Sequence, residues 1–503
     1  MGAAVAAGPE AAALLRGFLT RHASVELWEE GQRVACLRAE DSGFALSVEA
    51  SRLVCHFWSG EANLVRRVLA VEAATAARLR LRCLRMGQSQ PSRLVLTAGA
   101  EDGDASFRDD LRQAVVAAAR RDWAGWTYEP GGSRAHGPVR MLFRRGHRLL
   151  LCLAVDARHS TAAQTGVLAQ ALSWAAQVQT DHPEDVVAAI RLVLPAAAQE
   201  NLVRRRPWLR SPPDRPAIEA YHLDLSAGRL EPGEVAAGNA ASALRRAPAR
   251  PEDSPGAAAA QRLLEEIRQI CPQATLETSA EGGLGFRLYG LEIARQADTE
   301  LAFTAPFTFG YGRERTPLVP TAQPELLRLL RQLAQQRVPG GRRADPLYSL
   351  YPERWMEHVL RSDVSRLDVQ LRSQPVYAQV PVCGAGQREV LDLLALDRQQ
   401  RLVVIELKAD EDLGFPLQGL DYWIEVRRHQ LAGDFTRLGY FPGEAISPLP
   451  PRLWLVAPAL RWHPQTEAVT GWLSPAIPCA CLGINEEWRH GLQVVYRKEI
   501  HPG

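Results

Sequence analysis

The chain has 503 residues, of which 46% are hydrophobic and 23% charged, and a formal net charge of +2. That length is too great for one core and implies about two to four soluble domains. The balanced charge excludes a global basic field, so contact with nucleic acid must come from local arginine clusters, and no run reaches about 18 apolar residues, which excludes a membrane-spanning helix.

In chain order, the Ala-rich segment 1–13 lacks a basic leader and Glu10 and Arg16 interrupt its apolar run, so no secretory signal is expected. Apolar spacing predicts a helix over 11–20 and strands over 44–48, 53–58 and 79–84. Phe107, Leu111, Val115 and Ala118 fall at helical spacing and predict a helix over 106–123. Strands follow at 139–143 and 149–155, a helix at 161–178 and a strand at 190–194. Residues 226–258 are rich in Ala, Gly, Pro and Arg and read as a flexible linker. A helix over 257–270, short strands around 285–293 and a helix over 324–336 come next, before a Pro/Gly breaker at 339–346. The last region reads as a helix over 352–361, strands at 376–382, 390–397 and 402–407, a helix over 417–429 and a strand at 452–457. The expected fold class is therefore multi-domain α/β.

The eight cysteines contain no Cys-x-x-Cys and no zinc spacing. They read as small buried hydrophobes in a reducing cytoplasm. Gly282-Gly-Leu-Gly285 and Gly310-Tyr-Gly312 are not followed by Lys-Ser/Thr, so they are turns and not a phosphate-binding loop. Arg204, Arg205 and Arg206, with Trp208 close behind, have the basic and aromatic character that suits phosphate contact and base stacking.

An internal similarity links 139–156 to 391–408, each 18 residues long with a turn in the same place. Aligned directly, Arg140, Ala154 and Asp156 stand where the second segment has Asp392, Glu406 and Lys408. The first copy would then lack the acids of the second.

The chain has only two lysines, against 57 arginines, and one is Lys408 in Leu402-Val-Val-Ile-Glu-Leu-Lys408. Arg stays protonated, whereas a Lys can be shifted by burial and serve as a point charge. Side chains alternate along a strand, so Glu406 and Lys408 share a face while Ile405 and Leu407 point into a core. Pairing through a turn at 398–401 would bring Asp392 to the same place. Two carboxylates on one face repel unless a cation joins them, and a hard divalent ion with oxygen ligands meets that need. Asp397 reads as a turn residue, and Asp410, Glu411 and Asp412 as an acidic loop.

Asp392, Glu406-Leu-Lys408 and a following helix with Gln418 and Tyr422 resemble the PD-(D/E)XK nuclease superfamily. The order helix, three strands, helix, strand over about 347–460 is similar to its common core, although no Pro precedes Asp392. The resemblance implies a restriction-endonuclease-like αβββαβ domain over 346–503; the rest of the chain reads as an α+β region over 1–100, an α/β unit over 101–225 that the internal similarity makes a candidate degenerate copy, and, after the linker, a small α+β region over 259–345. It implies Mg²⁺ or Mn²⁺ held by Asp392, Glu406 and the Leu407 carbonyl, a catalytic Lys408, a Gln-x-x-x-Tyr element at Gln418 and Tyr422, and an extra acid from Glu353 or Glu357. The expected activity is hydrolysis of DNA phosphodiester bonds, with RNA left open; the oligomeric state is also left open, a homodimer being one assembly the resemblance allows. The alternative is a nucleic-acid-binding or assembly module on the same fold that no longer cuts.

Overall fold

The computed structural model describes residues 5–6, 8–22, 24–29, 32–38, 43–49, 52–58, 63–85, 91–98, 105–130, 137–159, 161–233, 244–279, 282–297, 305–311, 315–342, 345–384 and 387–501. The protein is mixed α/β with four β-sheets among the described residues. It divides into two compact units, one made of 1–101 and 248–355, the other of 102–247 and 356–503. No described helix is long and apolar enough to cross a membrane.

The chain opens with β1 (Val5–Ala6), α1 (Pro9–Arg21), β2 (Ser24–Glu29), β3 (Gln32–Arg38), β4 (Gly43–Glu49), β5 (Arg52–Trp58), β6 (Asn63–Ala74), β7 (Arg78–Arg85) and β8 (Pro91–Ala98). All the strands pair antiparallel in one sheet. Arg66 is fully buried there, and donates to both Glu29 carboxylate oxygens at 2.9 and 2.6 Å while the Ser92 hydroxyl adds a 2.7 Å bond. A buried ion pair survives in a core when its geometry is bidentate and its remaining lone pairs are met.

The next stretch contains α2 (Ala105–Asp122), β9 (Thr127–Glu129), β10 (Val139–Arg145), β11 (Arg148–Ala154), α3 (Thr161–Asp181), β12 (Val186–Val193), α4 (Ala196–Arg205), β13 (Ala217–Asp224) and β14 (Arg229–Pro232). The expected linker 226–258 is narrower than its composition suggested. Residues Arg229–Pro232 pair with β13, Leu244 is buried, and the Ala247 N–H bonds the Leu438 carbonyl at 3.0 Å. One apolar Leu in a polar run was enough to anchor it; 234–243 lie outside the described residues.

Then come α5 (Ala257–Arg268), β15 (Ala274–Thr278), β16 (Leu284–Leu288), β17 (Leu291–Gln296), β18 (Phe307–Phe309), β19 (Thr316–Pro317), α6 (Gln323–Gln336) and α7 (Pro346–Ser349). The strands form an antiparallel meander. Leu263, Leu264 and Ile267 of α5 and Leu326, Leu330 and Leu333 of α6 are buried at helical spacing and share its core. Arg337 is fully buried at the end of α6, where the carbonyls of Leu288, Tyr289, Leu347 and Leu350 accept from its guanidinium at 2.7–3.0 Å.

The chain ends with α8 (Pro352–Ser362), β20 (Tyr377–Gly384), β21 (Gln387–Leu396), β22 (Leu402–Leu407), α9 (Phe415–Leu431), α10 (Asp434–Arg437), β23 (Arg452–Pro458), α11 (Thr466–Thr470), β24 (Cys479–Ile484) and β25 (Val494–His501). This includes the helix, three strands, helix and strand expected from the sequence. The order of β20 to β25 in the sheet is sequential, with pairings antiparallel, antiparallel, parallel, parallel, antiparallel. The sheet β9 to β14 has the same order and the same five pairing senses. Helices α3 and α9 connect the third strand to the fourth, and α4 and α11 the fourth to the fifth. The second unit therefore contains two copies of one topology.

Backbone bonding fixes how the copies align. The Val155 N–H donates to the Val193 carbonyl at 3.0 Å, and the Lys408 N–H donates to the Val456 carbonyl at 3.0 Å. Leu192-Val-Leu-Pro195 and Leu455-Val-Ala-Pro458 then coincide. Arg140 faces Leu153 across β10 and β11, and Leu393 faces Ile405 across β21 and β22, which brings Asp392 opposite Glu406. Leu153 and Val155 thus occupy the places of Glu406 and Lys408, and Arg140 that of Asp392. The direct alignment of Ala154 and Asp156 was one residue out. The two hairpins turn on loops of different length, Gly146-His147 in one and 397–401 in the other.

The copies pack reciprocally. Helix α4 meets α9, and α3 meets α11. Leu209 and Leu473 form an isolated antiparallel bridge. The Arg210 N–H bonds the Trp472 carbonyl at 2.8 Å, and the Ser474 N–H bonds the Trp208 carbonyl at 2.9 Å. Each copy supplies a Trp-Leu pair after its fourth-to-fifth-strand helix, and each pair answers the other. That is the signature of an isologous, two-fold contact, here built within one chain. One apolar core runs across it, with Leu172, Leu192 and Leu209 from the first copy and Leu420, Trp423, Leu453 and Leu473 from the second.

Arg205 seals the same seam, donating to both Asp421 oxygens at 2.9 and 2.5 Å with both side chains nearly buried. Asp421→Ala leaves that guanidinium buried without its carboxylate and is expected to cost about 3–5 kcal/mol. The readout is a lower urea midpoint, most of which Arg205→Met in the same chain recovers.

Candidate active site

Strand β22 reads Leu402-Val-Val-Ile-Glu-Leu407, and every residue of it is buried. The β-branched run suits a strand covered on both faces. Leu402 and Val404 belong to the core shared with α9, and by alternation Glu406 points to that face. A carboxyl so placed has lost its water. Its Oε2 is buried and accepts no hydrogen bond. Burial pushes the Glu406 carboxyl well above the ordinary glutamate range, the nearby charge of Asp392 adds to the rise, and Lys408 opposes it.

Asp392 reaches the same point from β21. Its Oδ2 accepts a 3.0 Å hydrogen bond from the Leu407 backbone N–H, between Glu406 and Lys408. Leu407 closes β22 and is 1% exposed. Lys408 follows the strand, with its ammonium 3.1 Å from Asp412 Oδ2. Asp412, read from sequence as part of a solvated acidic loop, is thus tied to the lysine. Asp397 is the turn residue expected: its Oδ1 accepts from the N–H groups of Gln399 and Arg401, both at 2.9 Å.

Gln418 and Tyr422 lie one turn apart on α9, with the Gln418 amide donating to the Tyr422 hydroxyl at 3.3 Å. Helix α9 packs on β22 and β23, and Gly419 sits where an added Cβ would meet Leu455 at 2.6 Å. Of the two extra acids, Glu357 is buried on α8 and accepts from the Gln379 amide. Glu353 belongs to the other compact unit. Gln379 is a residue the sequence did not single out. It falls at the position of β20 opposite Asp392 and has φ 54°, a left-handed conformation rare for a side-chain-bearing residue in a strand. Such strain accumulates at functional sites, and no local sequence signal marks it.

The arginine cluster is committed elsewhere. Arg205 is bound to Asp421, and Arg204 lies 3.1 Å from Asp421 and 3.6 Å from Glu425. Carboxylates more than 200 positions away in the chain already pair with these two guanidiniums. Arg206 remains exposed.

Among the described residues no three His, Cys, Asp or Glu side chains converge as a metal cluster. The donor set at hand is the two carboxylates of Asp392 and Glu406, both hard oxygen donors. A sealed, unbonded carboxylate oxygen beside a second carboxylate is the chemistry that a hard divalent cation satisfies, so the residues fit such an ion.

No protein-family model matches the sequence, and no curated protein does. A solved structure of an EndoMS-dsDNA2 complex matches at 10% identity, over 46% of this chain and 98% of that chain, with a TM-score of 0.18. A likeness of that size carries no argument about fold or function.

The raised Glu406 carboxyl has a sign that can be measured. A folded-state carboxyl held above its unfolded value contributes stability that is fully present below the ordinary glutamate range and is lost as pH rises from there through the raised folded value. Glu406→Gln removes the ionisation. Without added metal, the variant is expected to be more stable than the parent at neutral pH by about 1–3 kcal/mol, the penalty of an unmet buried polar group. The gain should vanish near about pH 4, below the unfolded value. Urea midpoints at the two pH values check it.

Proposed function

We propose that the second unit is a metal-dependent nuclease whose site is Asp392, Glu406 and Lys408, and that DNA is its substrate. The observation that carries this reading is the meeting of Asp392 with the Leu407 N–H at 3.0 Å, directly between a sealed Glu406 and Lys408. A structural ion pair would leave the carboxylates facing solvent or a cation. Here one Glu406 oxygen is buried and accepts no hydrogen bond, although the Lys408 charge acts on the carboxyl.

In this reading Asp392, Glu406 and the Leu407 carbonyl hold Mg²⁺ or Mn²⁺, which when bound activates water and neutralises phosphate charge. The protein's own groups set the rest. The Leu407 N–H fixes the Asp392 carboxylate. The buried apolar neighbours of Glu406 lower the local dielectric, which strengthens the charge interactions of that carboxyl. Lys408, steadied by Asp412, presents a compact positive charge for the developing negative charge on phosphorus. Gln418 and Tyr422, joined to each other on α9, would orient the attacking water or the backbone of the substrate.

Cleavage of a short labelled DNA duplex by the full chain with Mg²⁺ tests this. Lys408→Ala is expected to lower the rate by about 100-fold or more, on the scale of losing one preorganised charge. Lys408→Arg should not restore it, because a guanidinium is planar, larger and never deprotonated. Equal cleavage by the parent and Lys408→Ala would place the chemistry elsewhere and overturn the proposal.

A further inference from the structure

A duplex has two antiparallel strands related by two-fold axes, and two-fold protein pairs match that symmetry. The second unit is built on the same plan. Its two copies share one strand order, and the Leu209–Leu473 bridge with the reciprocal Trp472 and Trp208 carbonyl bonds sets them about a local dyad. Each copy therefore offers an equivalent place to one of two strands.

The two places are chemically unlike. The second copy has Asp392, Glu406 and Lys408. The first has Arg140, Leu153 and Val155 at the positions that backbone bonding makes equivalent. Leucine and valine supply no oxygen, and a guanidinium where the acid should be repels a cation. Arg140 instead lies over the Trp174 ring, 5.4 Å from its centre. Asp156 cannot stand in for the missing acids. Both its oxygens are engaged by Arg158, whose backbone N–H reaches Oδ1 at 2.9 Å and whose guanidinium holds Oδ2 at 2.6 and 2.8 Å.

Resting on the nuclease reading above, we infer that this chain is an internally paired nuclease with one competent site, which cuts a single strand of duplex DNA per binding event and leaves a nick. The first copy holds the complementary strand without cutting it. The pairing face is already occupied within the chain, so two chains are not required, and an intrachain pair takes the place of the homodimer that the resemblance left open.

The test is a time course on supercoiled plasmid, using the full chain in excess with Mg²⁺, beside Lys408→Ala and a short single-stranded oligonucleotide in the same buffer. The expected result is open circle accumulating at least about tenfold ahead of linear DNA, with neither product from Lys408→Ala. Linear DNA formed at the rate at which supercoiled DNA disappears would mean both strands are cut in one event, and overturns the inference while leaving the nuclease reading intact. Cleavage of the oligonucleotide alone would do the same by removing the duplex. Failure to cut any of these substrates would overturn both.

Discussion

A carboxylate taken out of water must be bonded, paired or neutralised. Glu406 is taken out of water by the strand that carries it. Its neighbours along β22 are apolar because both faces of that strand are covered, and Asp392 is brought alongside by the hairpin that pairs β21 with β22. The sheet thus fixes a place where ionising Glu406 is costly, and in the proposed reading a cation together with Lys408 would relieve that cost. The hairpin that makes the sheet also makes the site.

The second constraint is the seam between the two copies. It couples α4 to α9 through Arg205 and Asp421, so the helix carrying Gln418 and Tyr422 is held from its far side by the copy that has lost its acids. The first copy has Arg140, Leu153 and Val155 at the equivalent positions, yet has the same connecting helices and the Trp208-Leu209 contact. What it kept is what supports its neighbour.

Much of the second copy was legible in the sequence because its signals are local. Alternation along 402–407, the turn at Asp397 and the helical spacing after Phe415 each depend on residues a few positions apart. What was not legible depends on distance. Arg204 and Arg205 look like a phosphate-binding run until α9 brings Asp421 and Glu425 to them. The internal repeat was visible, but its register was one residue out, because apolar patterns do not count the residues in a turn. Gln379 carries no signature, since its left-handed φ arises from the sheet around it. The closing strands Cys479–Ile484 and Val494–His501 were missed for opposite reasons. The first is a short apolar run with a glycine, and the second is a largely exposed edge whose charged residues hide its period.

The claim on which the rest turns is that Glu406 and Asp392 form a cation site which the first copy lacks. Calorimetric titration of Mn²⁺ into the full chain tests it without relying on turnover. The account predicts saturable binding that is lost in Glu406→Gln and unchanged in Arg140→Ala. Binding that survives Glu406→Gln, or its absence from the parent protein, would contradict it.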